Sequence, residues 1–456
     1  MNNKFYKPIK LSVLWIEFCV FASLAPYLYG QSDTSSVPKL NVPSTVKVVQ
    51  TPNGYQLLKN GRPYFIKGAG GSRYLDALVA AGGNSIRTWS SSAEILEQAY
   101  EKGLTVCMGL RMGKPRLGFD YSDSELLAVQ FERIRQTVLE FKSHPALLMW
   151  VIGNEVEYHA SAEDRIKVWK EINKIAEMIK QIDKNHPVIT VIAGTGSEKS
   201  GLKLVELKEY CPALDAIGIN IYGGILKIPE QIAQQGWDKP YLITEFGPRG
   251  WWKVDRTAWG LPIEDTSTEK AEFYLKGYQH TIQTRANCLG SYVFLWGNKQ
   301  EKTHTWFGLF LPDGSLTGTV DAMTYLWTGK WPKNRSPVIG QRKVWIDAEH
   351  SSTYKPEHIY QPNTQLYCMV DANDPDGDAL TIKWDLRLDV SDNPNIGGDR
   401  EEPTPPIENA ILSTNKNMAT IKVPGEEGNY RIFVYVYDGK GHAATVNVPI
   451  AVRKTQ

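Results

Sequence analysis

The sequence contains few cysteines, and they do not form a recognisable metal or disulfide motif. Of the five cysteines in 456 residues, four lie beyond the N-terminal region, and no two of these form a CxxC pair. This wide spacing argues against a zinc site and against a disulfide framework. Cys107 and Cys288 lie within apolar runs, where a free thiol acts as a small hydrophobic side chain. Glycine-rich phosphate loops and HExxH motifs are also missing. We therefore predict no metal site and no cofactor.

The sequence also lacks an excess of charge of either sign. The 51 Lys and Arg residues offset the 50 Asp and Glu residues, which leaves a formal net charge of +1. Such a chain has no long-range field that would attract a polyanion, so we do not expect a nucleic-acid partner. Aromatic residues make up 11% of the chain, with 14 Trp and 22 Tyr. This is more than a core requires, and rings on a surface can stack on flat, uncharged sugar rings.

Long apolar runs are absent except near the N-terminus. Three lysines precede the apolar run 11–25, which small and polar residues follow. This pattern is typical of a secretory signal, which we assign to residues 1–30. Glu17 interrupts the run, which disfavours a membrane-spanning helix. We predict an exported protein (periplasmic, cell-surface or extracellular) with no stable membrane insertion after removal of the signal. An N-terminal anchor that stays attached is the alternative.

Strand-like apolar runs alternate with amphipathic helical patterns over residues 63–332. This alternation predicts parallel strands, and eight strand–helix units over about 270 residues match the size of a (β/α)₈ TIM barrel of the α/β class. The predicted strands are 64–68, 84–89, 104–109, 147–153, 188–193, 216–221, 241–245 and 291–296. The predicted helices are 74–81, 93–102, 123–143, 162–183, 202–210, 229–235, 268–285 and 322–329.

Two further segments flank the predicted barrel. Residues 41–62 contain two short strand patterns and turn signals, which predict a β-hairpin that closes the bottom of the barrel. Residues 337–454 alternate apolar and polar positions without a helical pattern, which predicts a small all-β sandwich of immunoglobulin-like type. The acidic segment 373–378 within it carries oxygen ligands of the kind that calcium binds. Its spacing does not fit a helix–loop–helix calcium loop, so we interpret it as a solvated turn.

Polar residues at the ends of buried barrel strands indicate a candidate active site. The carboxyl ends of parallel barrel strands meet on one face, where catalytic groups gather. The fourth predicted strand is followed by Asn154 and Glu155, and the seventh ends at Glu245. Glycoside hydrolysis requires two carboxyl groups beside the scissile bond, one protonated and one ionised. We therefore predict that Glu155 and Glu245 face a common mouth and act on an oligo- or polysaccharide.

Three segments resemble strands of clan A glycoside hydrolases, most closely the TIM-barrel domain of family 2. They are residues 144–155, which end in Asn154-Glu155, residues 83–89 with the sequence GNSIRTW, and residues 244–247 with the sequence TEFG. The resemblance implies a retaining β-glycoside hydrolase in which Glu155 is the acid/base and Glu245 the nucleophile. Such double displacement requires carboxyl groups about 5 to 5.5 Å apart.

Other residues near the predicted mouth are candidates for binding substrate. Arg87 is expected to keep Glu245 ionised, and Tyr222 to donate a hydrogen bond to it. Asn154 is expected to bind the sugar hydroxyl next to the reacting carbon. Trp296 is predicted to offer a flat floor for a sugar ring. The remaining candidates for substrate binding are Trp89, Trp251 and His304.

The domain order refines the prediction. Family 2 enzymes usually carry β-domains before the barrel that wall in a terminal sugar, whereas here only residues 31–62 lie between the predicted signal and the barrel. We therefore expect an open cleft and internal cleavage. The resemblance to clan A enzymes with a barrel followed by a sandwich makes β-1,3-glucan the first predicted substrate. The alternatives are a β-glucan transglycosylase that uses the same glutamates and a non-catalytic glycan-binding protein.

Overall fold

The structure is a computed structural model that describes residues 43–197, 201–347, 358–393 and 401–454. The predicted signal, residues 1–30, lies outside the described residues, so signal cleavage and export stay predictions. Within the described ranges, no helix is long and apolar enough to cross a bilayer.

A closed barrel of parallel strands occupies the N-terminal part of the described chain. The strands up to residue 293 are β1 (Val46–Thr51), β2 (Gly54–Lys59), β3 (Arg62–Pro63), β4 (Ile66–Gly70), β5 (Ser85–Arg87), β6 (Thr105–Leu110), β7 (Leu147–Ile152), β8 (Val188–Ala193), β9 (Gly196–Ser197), β10 (Gly201–Leu202), β11 (Ala216–Ile221), β12 (Tyr241–Phe246) and β13 (Cys288–Val293). The barrel order is β11-β12-β13-β4-β5-β6-β7-β8. The predicted TIM barrel is therefore confirmed.

Each barrel strand overlaps the run that predicts it. The strands β6, β7, β12 and β13 are buried along their whole length. Parallel strands covered on both faces have nearly continuous apolar sequences, which is why the pattern is easy to recognise. The eighth barrel strand was expected over 291–296, but β13 begins at Cys288 and ends at Val293. Trp296 therefore lies in the loop beyond the strand.

Helices follow the barrel strands along the chain. The α-helices of the described residues are α1 (Leu75–Ala80), α2 (Ala93–Glu101), α3 (Ser124–Phe141), α4 (Ala162–Ile182), α5 (Lys203–Tyr210), α6 (Ile228–Gln234), α7 (Ser267–Tyr278) and α8 (Gly318–Thr328). Asp123 caps α3, because its carboxylate accepts the backbone N–H groups of Glu125 and Leu126. The helix predicted over 268–285 is shorter: α7 ends at Tyr278, and a π-helical turn follows.

A small antiparallel sheet covers one end of the barrel. It consists of β1, β2 and β3. Val46 of β1 and Leu57 of β2 are buried in one cluster with Ile66, Leu148 and Leu242. These last three residues lie near the amino ends of their barrel strands. The sheet therefore packs on the face opposite the strands' carboxyl ends, where the candidate site lies.

The C-terminal residues form two further sheets. Their strands are β14 (Leu316–Thr317), β15 (Val338–Asp347), β16 (Ile359–Tyr360), β17 (Gln365–Asn373), β18 (Thr381–Leu388), β19 (Ile411–Asn415), β20 (Met418–Lys422), β21 (Gly428–Tyr437) and β22 (His442–Val452). One sheet has the order β14-β22-β21-β18 with β16 beside β22, and the other has the order β15-β17-β20-β19. Both sheets enclose a buried cluster that includes Leu366, Leu386 and Ile432. The all-β character of this segment is confirmed.

The C-terminal sheets contact the long loops that follow β12 and β13. β14 belongs to the loop after β13 and pairs in parallel with β22. Glu264, in the loop after β12, forms a buried ion pair with Lys270 of α7 at 2.5 Å. Asn447 of β22 donates to the same carboxylate at 2.7 Å. We call these three residues the junction. Lys270 also donates to Thr305 O, in the loop after β13, at 2.6 Å, so the junction ties both loops to the C-terminal domain.

Candidate active site

The turn after β7 places Asn154 and Glu155 at the carboxyl end of the barrel. Gly153 has a φ of 70° and Glu155 a φ of 49°, both in the left-handed region. A Cβ atom on Gly153 would lie 2.4 Å from Val156 Cγ2, so the turn requires glycine there. For Glu155 this backbone costs about 1 to 3 kcal/mol, and such strain clusters at functional sites. The backbone N–H of Glu155 donates to Val191 O at 2.9 Å, which ties the turn to β8.

Three donors hold the carboxylate of Glu245 at the end of β12. Arg87 Nη1 donates to Oε1 at 2.7 Å, and Trp89 Nε1 donates to the same oxygen at 2.9 Å. Tyr222 Oη donates to Oε2 at 2.8 Å. Arg87 is completely buried, and Glu245 is 6% exposed. The structure thus brings these predicted site residues together, and the carboxylate is fixed in orientation through both of its oxygens.

Hydrogen bonds connect the two glutamates through two asparagines. Arg87 Nη2 donates to Asn154 Oδ1 at 2.5 Å. Asn220 Nδ2 lies 3.2 Å from Asn154 Oδ1 and donates to Glu155 Oε1 at 2.9 Å. No hydrogen bond within the described ranges uses the Nδ2 group of Asn154. That group, at the edge of the cleft, is the one that can serve a substrate hydroxyl.

Asn220 is a site residue that the sequence reasoning missed. It lies near the carboxyl end of β11, where Thr244 Oγ1 donates to its Oδ1 at 2.9 Å. That bond orients its amide so that Nδ2 points to Glu155. The rule that identified the glutamates, a polar residue near the end of a buried strand, also applies to Asn220.

Glu155 lies in an environment that favours its protonated form. Its pKa is raised to about 7, first because burial removes the carboxylate from water and second because the negative charge of Glu245 repels it. The hydrogen bond from Asn220 opposes this shift. The two carboxyl groups therefore differ: one is shifted toward neutrality, and the other is bound by a cation and two further donors. Acid-assisted displacement requires two carboxyl groups in such different environments, because one must donate a proton and the other must attack.

A cleft of about 490 Å³ opens next to Trp89, which donates to Glu245, and Asn154, which precedes Glu155. Its wall comes mainly from the loop after β6, with Trp89 and Asn154 on the side of the glutamates. The residues that line it are Trp89, Arg111, Met112, Gly113, Lys114, Leu117, Gly118, Phe119, Leu126 and Asn154. Leu117 is 68% exposed, so this wall reaches the solvent. A chain-like ligand can enter the cleft from that side.

Trp251 lies in an aromatic cluster that adjoins the site. The cluster includes Trp89, Tyr222 and Phe307. The ring of Trp251 lies perpendicular to that of Trp252, with centroids 5.2 Å apart. Because Trp89 and Tyr222 both donate to Glu245, the cluster packs around two of the side chains that orient the nucleophile candidate. Whether the Trp251 ring also contacts a substrate stays a prediction.

The structure does not place Trp296 and His304 in the cleft, and both predictions are corrected here. Trp296 is 1% exposed and packs against Phe310 and Trp327, because it lies beyond β13 and turns into the helical layer. His304 lies 2.7 Å from Tyr435 Oη through its Nε2 atom, at the contact with the C-terminal domain. Burial lowers the pKa of His304 to about 4, so it is a neutral packing residue there.

The acidic turn of the C-terminal domain forms a cluster of three carboxylates. Oxygens of Asp374, Asp376 and Asp378 lie within 4.8 Å of one another. Asp374 Oδ1 accepts the backbone N–H groups of the other two at 2.8 and 3.1 Å, and Lys440 pairs with Asp378 at 2.5 Å. These bonds are those of a hydrogen-bonded surface turn.

The four cysteines of the described residues are buried and unbridged.

Comparison with known families gives a match within the barrel. The family model for "Glycosyl hydrolases family 2, TIM barrel domain" matches residues 96–250. The matched stretch runs from α2 to just past β12, and it includes both Glu155 and Glu245. The predicted resemblance of this barrel to the family 2 domain is therefore confirmed.

The relatives that match are glycosidases, and the similarity is partial. Beta-mannosidase A of Aspergillus aculeatus is 31% identical over 90 residues, which is 19% of this chain and 9% of that protein. The probable mannan endo-1,4-beta-mannosidase F of Aspergillus flavus is 22% identical over 208 residues, which is 40% of this chain and 43% of that protein. This chain thus spans less than half the length of these curated relatives.

Among the solved structures that match is the beta-D-glucuronidase of Dictyoglomus thermophilum. It has a TM-score of 0.48 at 20% identity, and the alignment covers 63% of this chain and 54% of that one. The beta-glucuronidase of Bifidobacterium dentium has the same score at 17% identity, with 63% and 49% covered. From the family match, we conclude that this barrel is similar to the TIM-barrel domain of glycosyl hydrolases family 2 over residues 96–250.

Proposed function

We propose that this protein is a retaining β-glycoside hydrolase that acts on an oligo- or polysaccharide. The observation that carries the proposal is the pair of carboxyl groups in unlike environments. Glu155 has a pKa raised to about 7, whereas Glu245 receives hydrogen bonds from Arg87, Trp89 and Tyr222. The family 2 barrel match supports the proposal because it covers both glutamates.

The proposed reaction proceeds in two displacements. Glu245 attacks the anomeric carbon while protonated Glu155 gives its proton to the leaving oxygen, which forms a covalent glycosyl intermediate. Glu155, now ionised, then takes a proton from water, and the water releases the sugar with its original configuration. The donors on Glu245 orient it for the attack. The free Nδ2 group of Asn154 supports its proposed bond to the hydroxyl next to the reacting carbon.

A substrate panel with analysis of the first product tests this proposal. The purified chain is incubated with β-glucans, β-mannans and β-galactans, and the anomer released first is recorded by NMR before it equilibrates. We expect cleavage of at least one polysaccharide and a β-anomer as the first product. A first product in the α configuration would exclude double displacement. Transfer products without net release of reducing ends would instead favour a transglycosylase, and binding without any product would favour a glycan-binding protein.

The finer proposal is internal cleavage of the polysaccharide chain, with β-1,3-glucan as the first neutral substrate to test. The exposed side of the cleft supports internal cleavage, because a cleft that is open to solvent leaves room for further sugars of a chain. The choice of linkage rests on the order of the barrel and the β-domain. Products of intermediate length early in the digestion would support internal cleavage, whereas release of single sugars alone would contradict it.

The pH dependence of the reaction follows from the raised pKa of Glu155. The first step requires the protonated acid, so kcat/KM is expected to fall about tenfold per pH unit above the pKa of about 7. We measure kcat/KM from pH 5 to 9 with the oligosaccharide substrate. An aryl glycoside, whose leaving group needs no protonation, serves as the comparison substrate. With the Glu155→Ala variant, this basic limb should disappear. An unchanged limb in that variant would assign the titration to another group.

We also infer that the C-terminal domain is immunoglobulin-like. In that fold, strands A-B-E-D form one sheet and strands C-F-G the other. The order β15-β17-β20-β19 in one sheet and the run β18-β21-β22 in the other support this correspondence. Trp384 on β18 is 5% exposed, and Tyr430 Oη on β21 donates to Glu426 O at 3.1 Å. A buried tryptophan on strand C and a tyrosine bond of this kind near the start of strand F are features of that fold.

A further inference from the structure

The loop after β6 presents an ammonium group to the cleft without a bonded partner. Lys114 lines the cleft and is half-buried, and Arg111 lines the same wall. The Nζ atom of Lys114 forms neither a hydrogen bond nor an ion pair with any residue of the described ranges. A cation that is partly removed from water usually has a partner, so this one has spare capacity to bind an anion.

The carboxylates whose charges act on Lys114 are hydrogen-bonded to other groups. Burial lowers the pKa of Lys114, and the charges of Glu155, Glu245 and Glu157 oppose this shift. Glu245 is paired with Arg87 at 2.7 Å, and Glu157 is paired with Lys203 at 2.8 Å. These carboxylates therefore act on Lys114 from a distance and do not occupy its N–H donors.

The composition of the cleft wall also favours an anionic ligand. Of the residues that line the cleft, Arg111 and Lys114 are cationic, and none is acidic. Most of the remaining side chains are apolar, including Trp89 and Phe119. Apolar surface fits the C–H faces of a pyranose ring, and ammonium and guanidinium groups fit a carboxylate or sulfate on that ring. The wall therefore combines the two properties that an acidic sugar requires.

We propose that Lys114, together with Arg111, forms a subsite for a sugar that carries an anionic group, either the carboxylate of a uronic acid or a sulfate ester. The position of this subsite beside the scissile bond rests on the proposed function. A neutral glucan leaves the ammonium group without a counter-charge, whereas an acidic β-linked polysaccharide supplies one. The proposal therefore places acidic glycans ahead of neutral β-1,3-glucan as the natural substrate.

The test uses three matched oligosaccharides. They are a β-1,3-glucan hexasaccharide, the same hexasaccharide oxidised to glucuronate at C6, and the same hexasaccharide sulfated at O6. Their binding to the full chain with Glu245→Gln is measured by calorimetry, so that no ligand is consumed. We expect about 10-fold or tighter binding of one acidic probe than of the neutral one, as a charge-assisted hydrogen bond provides. The preference should shrink as salt is raised. The better of the two acidic probes identifies the anionic group.

Variants of Lys114 assign the preference to this residue. Lys114→Met should abolish the preference for an acidic probe, because the methionine retains only the apolar stem. Lys114→Arg should keep the preference, because the arginine retains the charge. Lys102→Met, at an exposed lysine just after α2, should leave the preference unchanged. Equal affinity for all three probes, or a preference that survives Lys114→Met, would overturn the proposal. If the unmodified chain cleaves none of these probes and no polysaccharide of the panel described above, the proposed function fails, but the binding preference still tests the subsite.

Discussion

Replacing Glu245 with alanine is expected to lower kcat on the order of 10⁴-fold or more, because the covalent step loses its nucleophile. Added azide is expected to restore part of the rate. The missing carboxylate leaves room beneath the anomeric carbon, and azide attacks there in place of Glu245. The product is then a glycosyl azide of inverted, α configuration, which NMR identifies.

The corresponding Glu155→Ala variant should give the opposite anomer. Glu245 still forms the covalent intermediate when the leaving group is a good one, and azide then attacks from the other face without base catalysis. The product is a β-glycosyl azide. Glu163→Gln serves as the control, since Glu163 is exposed on α4 and pairs with Lys167 alone among the described cations. Full turnover by Glu245→Ala, or the same azide anomer from both variants, would refute the assignment of roles.

Replacing Lys270 with methionine is expected to destabilise the protein by about 3 to 5 kcal/mol, because it leaves Glu264 buried without its cation. Glu264 is 3% exposed, and burial alone would raise its pKa. The ammonium group of Lys270 overcomes that effect and holds the pKa below its usual range. The midpoint of urea unfolding, followed by tryptophan fluorescence, measures the loss.

Two further variants separate the ion pair from general effects on α7. Lys270→Met combined with Glu264→Gln should recover part of the loss, because no unpaired charge remains buried. Lys276→Met, at an exposed position of the same helix, should change stability by less than about 0.5 kcal/mol. A small effect of Lys270→Met alone would show that water reaches Glu264 and that the junction does not support the loops. Because the junction joins the loops after β12 and β13 to β22, the same measurement tests the supporting role of the C-terminal domain.

Residues that lie beyond the ends of strands were harder to predict than the strands themselves. Trp296 follows a strand in the sequence, as Asn154 and Glu155 do. The backbone after β13 turns its ring toward Phe310 and Trp327. His304 finds its partner, Tyr435, 131 residues further along the chain. Neither contact leaves a signal in the local pattern, because the partner comes from a distant segment.

The sequence by itself determined the barrel, the all-β C-terminal segment and the positions of Glu155 and Glu245. Strand periodicity is local, and a parallel barrel brings the carboxyl ends of its strands to one face whatever the loops do. The sequence also indicated Arg87 and Tyr222 as neighbours of Glu245, but only the tertiary structure decided the full set of contacts around each carboxyl group. Arg87 lies on β5, Asn220 and Tyr222 lie on or just past β11, and Lys114 lies on the loop after β6. Their contacts depend on how the barrel closes. Protonation states arise from burial and neighbouring charges, and both exist only once distant segments have packed together.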